Sequence, residues 1–384
     1  MRRTLVLFAA ILFVASCAAA QIGKAIAIPA GSEEDQAITA INNAADGPDK
    51  IALIDKFMTS YGKGDFELLA DQMYVQTYLA MKDYAKVYEY GDKALALDPD
   101  GLSVAVNMVR AADASGDTER VFATGEKISQ MLSRYKAAPA PAGTPADQWA
   151  QARAGALEKV QPEVTYVQYT MVQAAYKAAD PTAKAALLER YVAAFPDSTY
   201  SESAREQTAF AYQAARNADK MVASAQAALV ADPNDASMLI LLADYWSDSN
   251  STAHLDEASA DAKKALDAIQ QAKKPDGVTD EQWQQQQSLE KGIAYSCLGQ
   301  VDAIKGRNVT AIEEFKQANP LVQSNAFYYG RNLYRLGFVL AKLRRTAEAR
   351  EVLTQAVGID SPYKSRAQET LDKIGGAARP RKRS

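Results

Sequence analysis

A chain of 384 residues is long enough for two ordinary domains or one long array, and 48% apolar content with a net charge of −4 marks it as globular rather than disordered. No internal apolar run approaches the length of a bilayer span. Cys17 and Cys297 are the two cysteines and His254 is the single histidine, which excludes an intramolecular disulfide framework and argues against a histidine metal site or Ser-His-Asp machinery.

Residues 1–20 have the form of an export leader, with Arg2 and Arg3 ahead of an apolar run from Leu5 to Ala15 that is too short to cross a membrane. Two processing sites stay open. Val14-Ala15-Ser16-Cys17 resembles a bacterial lipobox, which would make Cys17 the lipidated N-terminus, whereas Ala18-Ala19-Ala20 before Gln21 fits an ordinary signal peptidase. Either way the mature chain is expected outside the cytoplasm, as a soluble periplasmic protein or a lipoprotein anchored to the outer membrane. The paired arginines lack the rest of a Tat signal, so the expected route is Sec export. Residues 21–32 show no helical period and read as a tether.

Abundant alanine, with glycine and proline sparse and clustered, favours helices from there on. Apolar spacing predicts a helix over Glu33 to Ala45, broken at Gly47-Pro48. Pro48 suits the first turn of the next helix, which carries Ile51, Ile54, Phe57 and Met58 on one face and stops before Gly62. Two helix pairs follow: Phe66 to Met81 with Asp83 to Leu97, and Leu102 to Ala114 with Asp117 to Tyr135. The second pair repeats the first at a step of 34, so that Val87 recurs as Val121 and Gly91 as Gly125. Residues 137–146 form a loop rich in proline and alanine. A helix over Asp147 to Val160 restarts the array, and Pro162 marks the start of a new one.

Further helices are expected over Glu163 to Ala179, Thr182 to Ala194, Tyr200 to Ala215, Asn217 to Ala231, Ala236 to Ser247 and Ala253 to Ala272. Then come Asp280 to Lys305, Val309 to Ala318, Asn325 to Leu343, Thr346 to Gly358, and a capping helix over Tyr363 to Ile374. Residues 376–384 form a basic tail expected to be disordered.

A longer period overlies the short one. Ala44 to Phe66 recurs without a gap as Ala178 to Tyr200, and the register holds beyond it: Lys50 falls on Lys184, Leu53 on Leu187, Asp98-Pro99 on Asp232-Pro233, and Trp149 on Trp283. The chain therefore reads as a tandem 134-residue duplication plus a partial third copy, with one block at 33–136 and the others at 147–375.

The C-terminal residues carry a resemblance. Tyr295-x-x-Leu298-Gly299 precedes Gly306, Ala311, Phe315 and Ala318, while Leu333-x-x-Leu336-Gly337-x-x-Leu340 precedes Ala349, Leu353 and Ala356. This pattern resembles the tetratricopeptide repeat. The resemblance implies an all-α, right-handed superhelical α-solenoid of helical hairpins. In such a fold each hairpin buries its apolar face only by stacking on neighbours. Small residues (Gly299, Ala311, Gly337, Ala349) would let paired helices approach, and large ones (Tyr295, Leu298, Phe315, Leu353) would fill gaps between hairpins. Phe195-Pro196-Asp197-Ser198-x-Tyr200 and Ser361-Pro362-Tyr363 resemble turns of bacterial envelope repeat proteins, including BamD-like outer-membrane lipoproteins.

No catalytic constellation emerges. His254 sits at a loop-to-helix junction, where exposure or capping is expected. Cys297 adjoins Leu298 on the packed face and reads as a buried, inert thiol. Asp244, Asp248 and Asn250 lack the spacing and late glutamate of an EF-hand loop. No glycine-rich phosphate loop occurs, and neither cofactor nor metal is expected. The basic tail from Arg379 to Arg383 reads as solubilising, so no nucleic-acid partner is expected, and membrane contact is expected only through a lipid on Cys17.

The resemblance implies that the first helix of each hairpin lines a concave groove. Residues beside Leu333, Leu336 and Leu340 would then face it: Arg331, Tyr334, Arg335, Phe338 and Lys342. In earlier hairpins Tyr166, Tyr169, Gln173, Tyr176, Phe210 and Asp244 would do so, with packing between hairpins as the alternative for any single aromatic. Tyrosine and arginine suit binding surfaces because they combine contact area with hydrogen bonding. Cys297 and Gln300 replace the asparagine and lysine with which some adaptor repeats grip a peptide carboxylate, so that clamp is not expected. The expected function is a non-catalytic, exported scaffold that binds a protein or peptide in its groove, with Arg331, Arg335 and Lys342 selecting acidic partners. The alternatives are an outer-membrane assembly or secretion-complex lipoprotein of the BamD kind and, further off, a glycan-acting enzyme on an α-solenoid.

Overall fold

The computed structural model describes residues 22–249 and 252–375. The leader with Cys17, and the basic tail, lie outside the described residues. Seventeen α-helices and no strand are found among the described residues. The first eight are α1 (Glu33–Asn43), α2 (Pro48–Tyr61), α3 (Asp65–Ala80), α4 (Tyr84–Leu97), α5 (Leu102–Ser115), α6 (Thr118–Ala137), α7 (Ala146–Lys177) and α8 (Pro181–Ala194). Then follow α9 (Ser201–Ala214), α10 (Ala218–Ala231), α11 (Ala236–Asp248), α12 (Leu255–Gln271), α13 (Asp280–Ile304), α14 (Asn308–Leu321), α15 (Ala326–Lys342), α16 (Thr346–Gly358) and α17 (Lys364–Gly375). The architecture is an all-α repeat of helical hairpins.

Local chemistry explains the helix ends. Asp83, Asp117, Asp180, Asn217 and Asp235 each accept the backbone N–H three residues on, which satisfies a donor that the helix leaves open. Pro48 and Pro181 open α2 and α8, where a missing N–H costs nothing.

The turn inside the hairpin is equally regular. Asp83, Asp117, Asn217, Arg307 and Arg345 each donate a backbone N–H to the carbonyl five residues back, at 2.8–3.0 Å. The residue before each donor is left-handed: Lys82 (φ 61°), Gly116 (73°), Arg216 (56°), Gly306 (79°) and Arg344 (58°). This is the Schellman closure, which suits glycine; lysine or arginine at the same place holds a strained backbone.

The long period is visible in the helix boundaries. Tyr84 and Ala218, Leu102 and Ala236, and Ala146 and Asp280 begin helices at equivalent places in the two copies, while Leu97 with Ala231 and Ala137 with Gln271 end them in the same register.

The described residues form two compact units, divided between Ala204 and Arg205. In the first unit, apolar clusters form around Ile41, Ile54 and Phe57, around Val75, Val87 and Met108, and around Phe122, Met171 and Tyr191. Arg190 on α8 ties to α6 through Glu119 (2.8 Å) and Glu126 (2.7 Å). The 137–146 loop lies within this unit. In the second unit, α11, α12 and α13 share one cluster around Ile240, Ile269 and Leu298, and α14 to α17 share another around Phe315, Leu336 and Leu353.

The small-residue expectation holds. A Cβ on Gly299 would lie 2.8 Å from the Phe315 ring, and one on Gly337 would lie 2.6 Å from Leu353 Cγ. Phe315 and Leu353 thus fill the space that glycine leaves between the two helices of their own hairpin, rather than only gaps between hairpins. Each is fully buried and contributes about 1.5–3 kcal/mol of apolar burial.

Two expectations are corrected. Pro162 does not separate two helices; α7 runs through it as one 32-residue element. Tertiary anchors on both sides outweigh the lost hydrogen bond. Trp149 Nε1 and Arg153 Nη1 donate to the carbonyls of Ala138 (3.1 Å) and Lys136 (2.6 Å), while Val164, Val167 and Met171 are buried beyond the proline. Nor do residues 22–32 hang as a free tether. Ile22, Ile26 and Ile28 each pack against a different apolar cluster of the first unit. The Lys24 N–H donates to Asp98 Oδ2 at 2.8 Å, and its ammonium meets Asp65 at 2.6 Å. Gly23 (φ 94°) lets the chain bend there against Asp98, where a Cβ would come within 2.8 Å of the carboxylate.

Candidate functional site: a cleft over a buried arginine–aspartate ladder

α15 is started by Asn325, whose side chain accepts from the N–H groups of Phe327 (3.1 Å) and Tyr328 (3.2 Å). Leu333, Leu336 and Leu340 are buried as expected. Two further stripes at four-residue spacing flank them. Arg331 and Arg335 form one; Tyr334, Phe338 and Lys342 form the other.

The arginine stripe meets a matching stripe of acids on α11, Asp244 and Asp248. Arg331 donates to both oxygens of Asp244, through Nη1 at 3.1 Å and through Nη2, and Nη1 also reaches Asp248 Oδ2 at 2.8 Å. Arg335 donates through Nη2 to Asp248 Oδ1, and through Nη1 to Ser296 Oγ at 3.2 Å. The ladder passes α13 where its side chains are small, at Ser296 and Cys297.

The expectation that Arg331 and Arg335 present free charge to a partner is therefore corrected. They are 1% and 6% exposed, and both guanidiniums are neutralised by the chain's own carboxylates. Burial makes this pairing obligatory, because an unpaired charge at that depth is too costly to keep. Asp244, expected on the groove face, is drawn into the same ladder.

The electrostatics follow from the packing. Burial works against charge on Asp244, yet the Arg331 guanidinium outweighs it and holds the carboxyl below its ordinary range. Burial likewise opposes charge on Arg331, and Asp244 more than offsets it. Arg335 is lowered, by burial first and then by its neighbour Arg331. The rings of Tyr328 and Phe327 lie 5.0 and 5.4 Å from the Arg331 guanidinium, and burial, with Asp244 next, pushes the Tyr328 phenol up to about 12. Cys297 is buried and its thiol donates to Asp244 at 3.4 Å. Burial raises its pKa, which matches the inert thiol expected for it.

Above the ladder lies a cleft of about 580 Å³, walled by Gln300, Ala303 and Ile304 of α13, Asn308 of α14, the outer stripe of α15, and Tyr363 with Arg366 at α17. Tyr334 stands 6.1 Å from Phe338 and 5.9 Å from Tyr363, centroid to centroid. Phe338 is 51% exposed. Among the described residues, neither Lys342 nor Arg366 has a carboxylate partner; Arg366 rests on the Tyr363 ring at 5.8 Å. Asp248 and Arg335 reach the cleft wall from below. On the other side of the ladder a cleft of about 290 Å³ is lined by Asn217, Met221, Tyr245, Phe327 and Arg331, and Asp248 borders it too.

Four of the expected groove residues, Tyr334, Arg335, Phe338 and Lys342, thus share one cleft, while Arg331 lines the second. Phe210, half-buried on α9, lines neither. In the first unit, Tyr166 is pinned by Asp113 (3.4 Å) and by the Arg110 guanidinium (5.5 Å), and Tyr176 packs at the core edge with its hydroxyl 3.4 Å from Ser203 Oγ. Tyr169 is exposed beside Tyr200, and Gln173 is half-buried. Packing accounts for Tyr166 and Tyr176. Sequence reasoning did not find Tyr363 and Arg366, since no spacing ties α17 to α15. The Asp244/Asp248 pair did have a signal, two acids four residues apart on an apolar helix. His254, expected to be exposed or capping, stacks on Trp246 (3.9 Å) and pairs with Glu257 at 2.8 Å.

No protein-family model matches this chain, and no curated protein matches it. Solved structures similar to it include a chain of the APC/C hetero-tetramer Cut9–Hcn1 (12% identity, TM-score 0.42, covering 89% of this chain). The chain spans 64% of that protein's length. NprR in complex with its cognate peptide NprX is similar at 14% identity and TM-score 0.34, covering 78% of this chain and 80% of that one. Yeast Tom70 is similar at 14% identity and TM-score 0.29, covering 89% and 87%. At these values the fold rests on the hairpins themselves.

Proposed function

We propose that the chain is an exported, non-catalytic scaffold that binds an extended protein segment in the cleft of its second unit. The observation that carries this reading is the half-exposed Phe338 between Tyr334 and the cations Lys342 and Arg366, neither of which has a carboxylate partner among the described residues. Aromatic faces supply contact area at low entropic cost, and the two cations favour a segment that carries acid next to an apolar side chain. The cleft lining holds one carboxylate, Asp248, already bound by two arginines. Hydrolysis of a glycosidic bond needs two carboxyl groups flanking the bond, so the lining favours binding over that chemistry.

A photo-crosslinking amino acid at Phe338, in cells, tests the reading. The expected adducts are to acidic segments bearing an aromatic or apolar residue, and they are lost in the Lys342→Glu/Arg366→Glu variant. Adducts unchanged in that variant would overturn the cleft assignment.

The leader supports a second element of the proposal, placement in a bacterial envelope, either as a lipoprotein through Val14-Ala15-Ser16-Cys17 or as a soluble periplasmic protein cut after Ala18-Ala19-Ala20. Palmitate labelling lost in Cys17→Ala would support lipidation. Equal labelling of both forms would sink it and leave the soluble periplasmic reading.

A further inference from the structure

Asp248 differs from every other member of the ladder. Asp244 is 15% exposed and borders the second cleft alone, and it holds Arg331 through two hydrogen bonds with Cys297 beside it. Asp248 stands on the last residue of α11, its side chain is 39% exposed, and it borders both clefts. A carboxylate at a helix C-terminus lies at the negative end of the helix dipole, the wrong end for an anion. What keeps it in place is the pair of arginines.

The two arginines depend on it unequally. If Asp248 turned away, Arg331 would retain both oxygens of Asp244. Arg335 would keep only Ser296 as a hydrogen-bond partner, at 3.2 Å and 3.5 Å, and Asp244, already bound by Arg331, would act on it only from a distance. A guanidinium this deeply buried does not go without a counter-charge. It can exchange its anion, but it cannot lose it. Arg335 and the partly exposed Asp248 both lie in the wall of the cleft that also presents Lys342 and Arg366. Those cations bring an incoming anion to the place where Asp248 now sits.

Resting on the cleft reading above, we propose that Asp248 is a resident anion occupying a carboxylate site centred on Arg335, and that a carboxylate of the bound peptide takes its place. Lys342 and Arg366 recruit the incoming group, Phe338 and Tyr334 hold the adjacent apolar side chain, and Asp248 swings outward into solvent. Asp248 thereby sets specificity. Neutral apolar segments gain nothing by entering the site, since they cannot supply the charge that Arg335 requires.

The test uses N-acetyl-phenylalanine, which carries one ring and one carboxylate, and its uncharged carboxamide. Titration calorimetry on the full mature chain is expected to show Asp248→Asn binding the acid at least 10-fold tighter than the wild type does, with the carboxamide unchanged. Asp248→Glu, which keeps a resident carboxylate, is expected to match the wild type. Equal affinity of Asp248→Asn and wild type for the acid overturns the proposal. Should Asp248→Asn fail to fold by circular dichroism, the Asp248 ¹³Cγ resonance of the wild-type protein decides the question. A shift on saturation with the acid but not with the carboxamide supports displacement; no shift overturns it. If displacement fails while crosslinks from Phe338 persist, the cleft reading stands alone; if both fail, neither stands.

Discussion

Arg331 and Asp244 lie 87 residues apart in the chain, and the guanidinium of one grips both oxygens of the other beneath the cleft of the second unit. Removing either partner strands a buried charge. Arg331→Ala is expected to destabilise the second unit by about 3–5 kcal/mol in denaturant unfolding. The double substitution Arg331→Met/Asp244→Leu is expected to cost less than the sum of the single changes, because neither charge is then left behind.

Asp71 is the opposite case. Its carboxyl is 1% exposed on α3 and Oδ1 has no hydrogen-bond partner. Burial pushes its pKa up to about 6, against partial relief from Lys93. A raised carboxyl binds its proton more tightly when folded. Its contribution is therefore complete below about pH 4 and is lost as pH rises through about 6. Asp71→Asn is expected to be neutral at pH 4 and to raise stability by up to about 3 kcal/mol at pH 8, taking about 1.4 kcal/mol per pKa unit. A thermal melt series across pH measures this, and a benefit of equal size at both ends would contradict it.

Gly299 and Gly337 test the close approach of paired helices. Each added Cβ would meet a buried side chain at 2.8 or 2.6 Å. Gly337→Ala should therefore lose about 1–3 kcal/mol from overpacking, despite alanine's better helix propensity. Pairing it with Leu353→Val, which trims the obstructing side chain, should recover part of the loss.

Pro162 breaks no helix, but it still removes one hydrogen bond from α7. Pro162→Ala should accordingly raise the melting temperature, by an amount equivalent to about 1–3 kcal/mol. No change in melting would mean that the neighbouring carbonyl is already satisfied elsewhere.

Cys297 should resist alkylation. It is fully buried, and burial raises its thiol pKa further from neutrality. Reaction with a thiol reagent is expected only at the rate at which the second unit opens, so it should accelerate in Arg331→Ala. Rapid labelling of the native protein would be inconsistent with this packing.

The hairpins were legible in the sequence because their determinants are local. Caps such as Asp83 and Asp117, small residues such as Gly337, and the short repeat that carries Val87 onto Val121 each fix a turn or a contact within reach of a single reading window. The ladder was not, although spacing puts both ends of it on inward faces. Which side of a helix a residue occupies follows from spacing; its depth does not. Arg331 and Arg335 are buried because α11 comes within reach past Ser296 and Cys297, and no periodicity reports that distance. The strap at residues 22–32 was illegible for a different reason. Its isoleucines sit at irregular intervals, each set by whichever cluster it passes. The two copies have also diverged at the ladder, since the place of Asp244 is taken in the earlier copy by Arg110, which donates to Asn107 at 2.7 Å instead. The 134-residue repeat therefore does not carry the ladder, since Arg331 and Arg335 in turn fall on Asp197 and Ser201 one step earlier.

In a stack of hairpins each repeat normally leans only on its immediate neighbours, so opening can start anywhere and spread stepwise. The contact of α15 with α11 skips the hairpin between them and closes a loop around α13. The hairpins from α11 to α16 therefore cannot peel apart singly. Their amides should exchange with solvent as a single cooperative block, and truncation anywhere within it should release the whole block rather than shorten the array by one repeat.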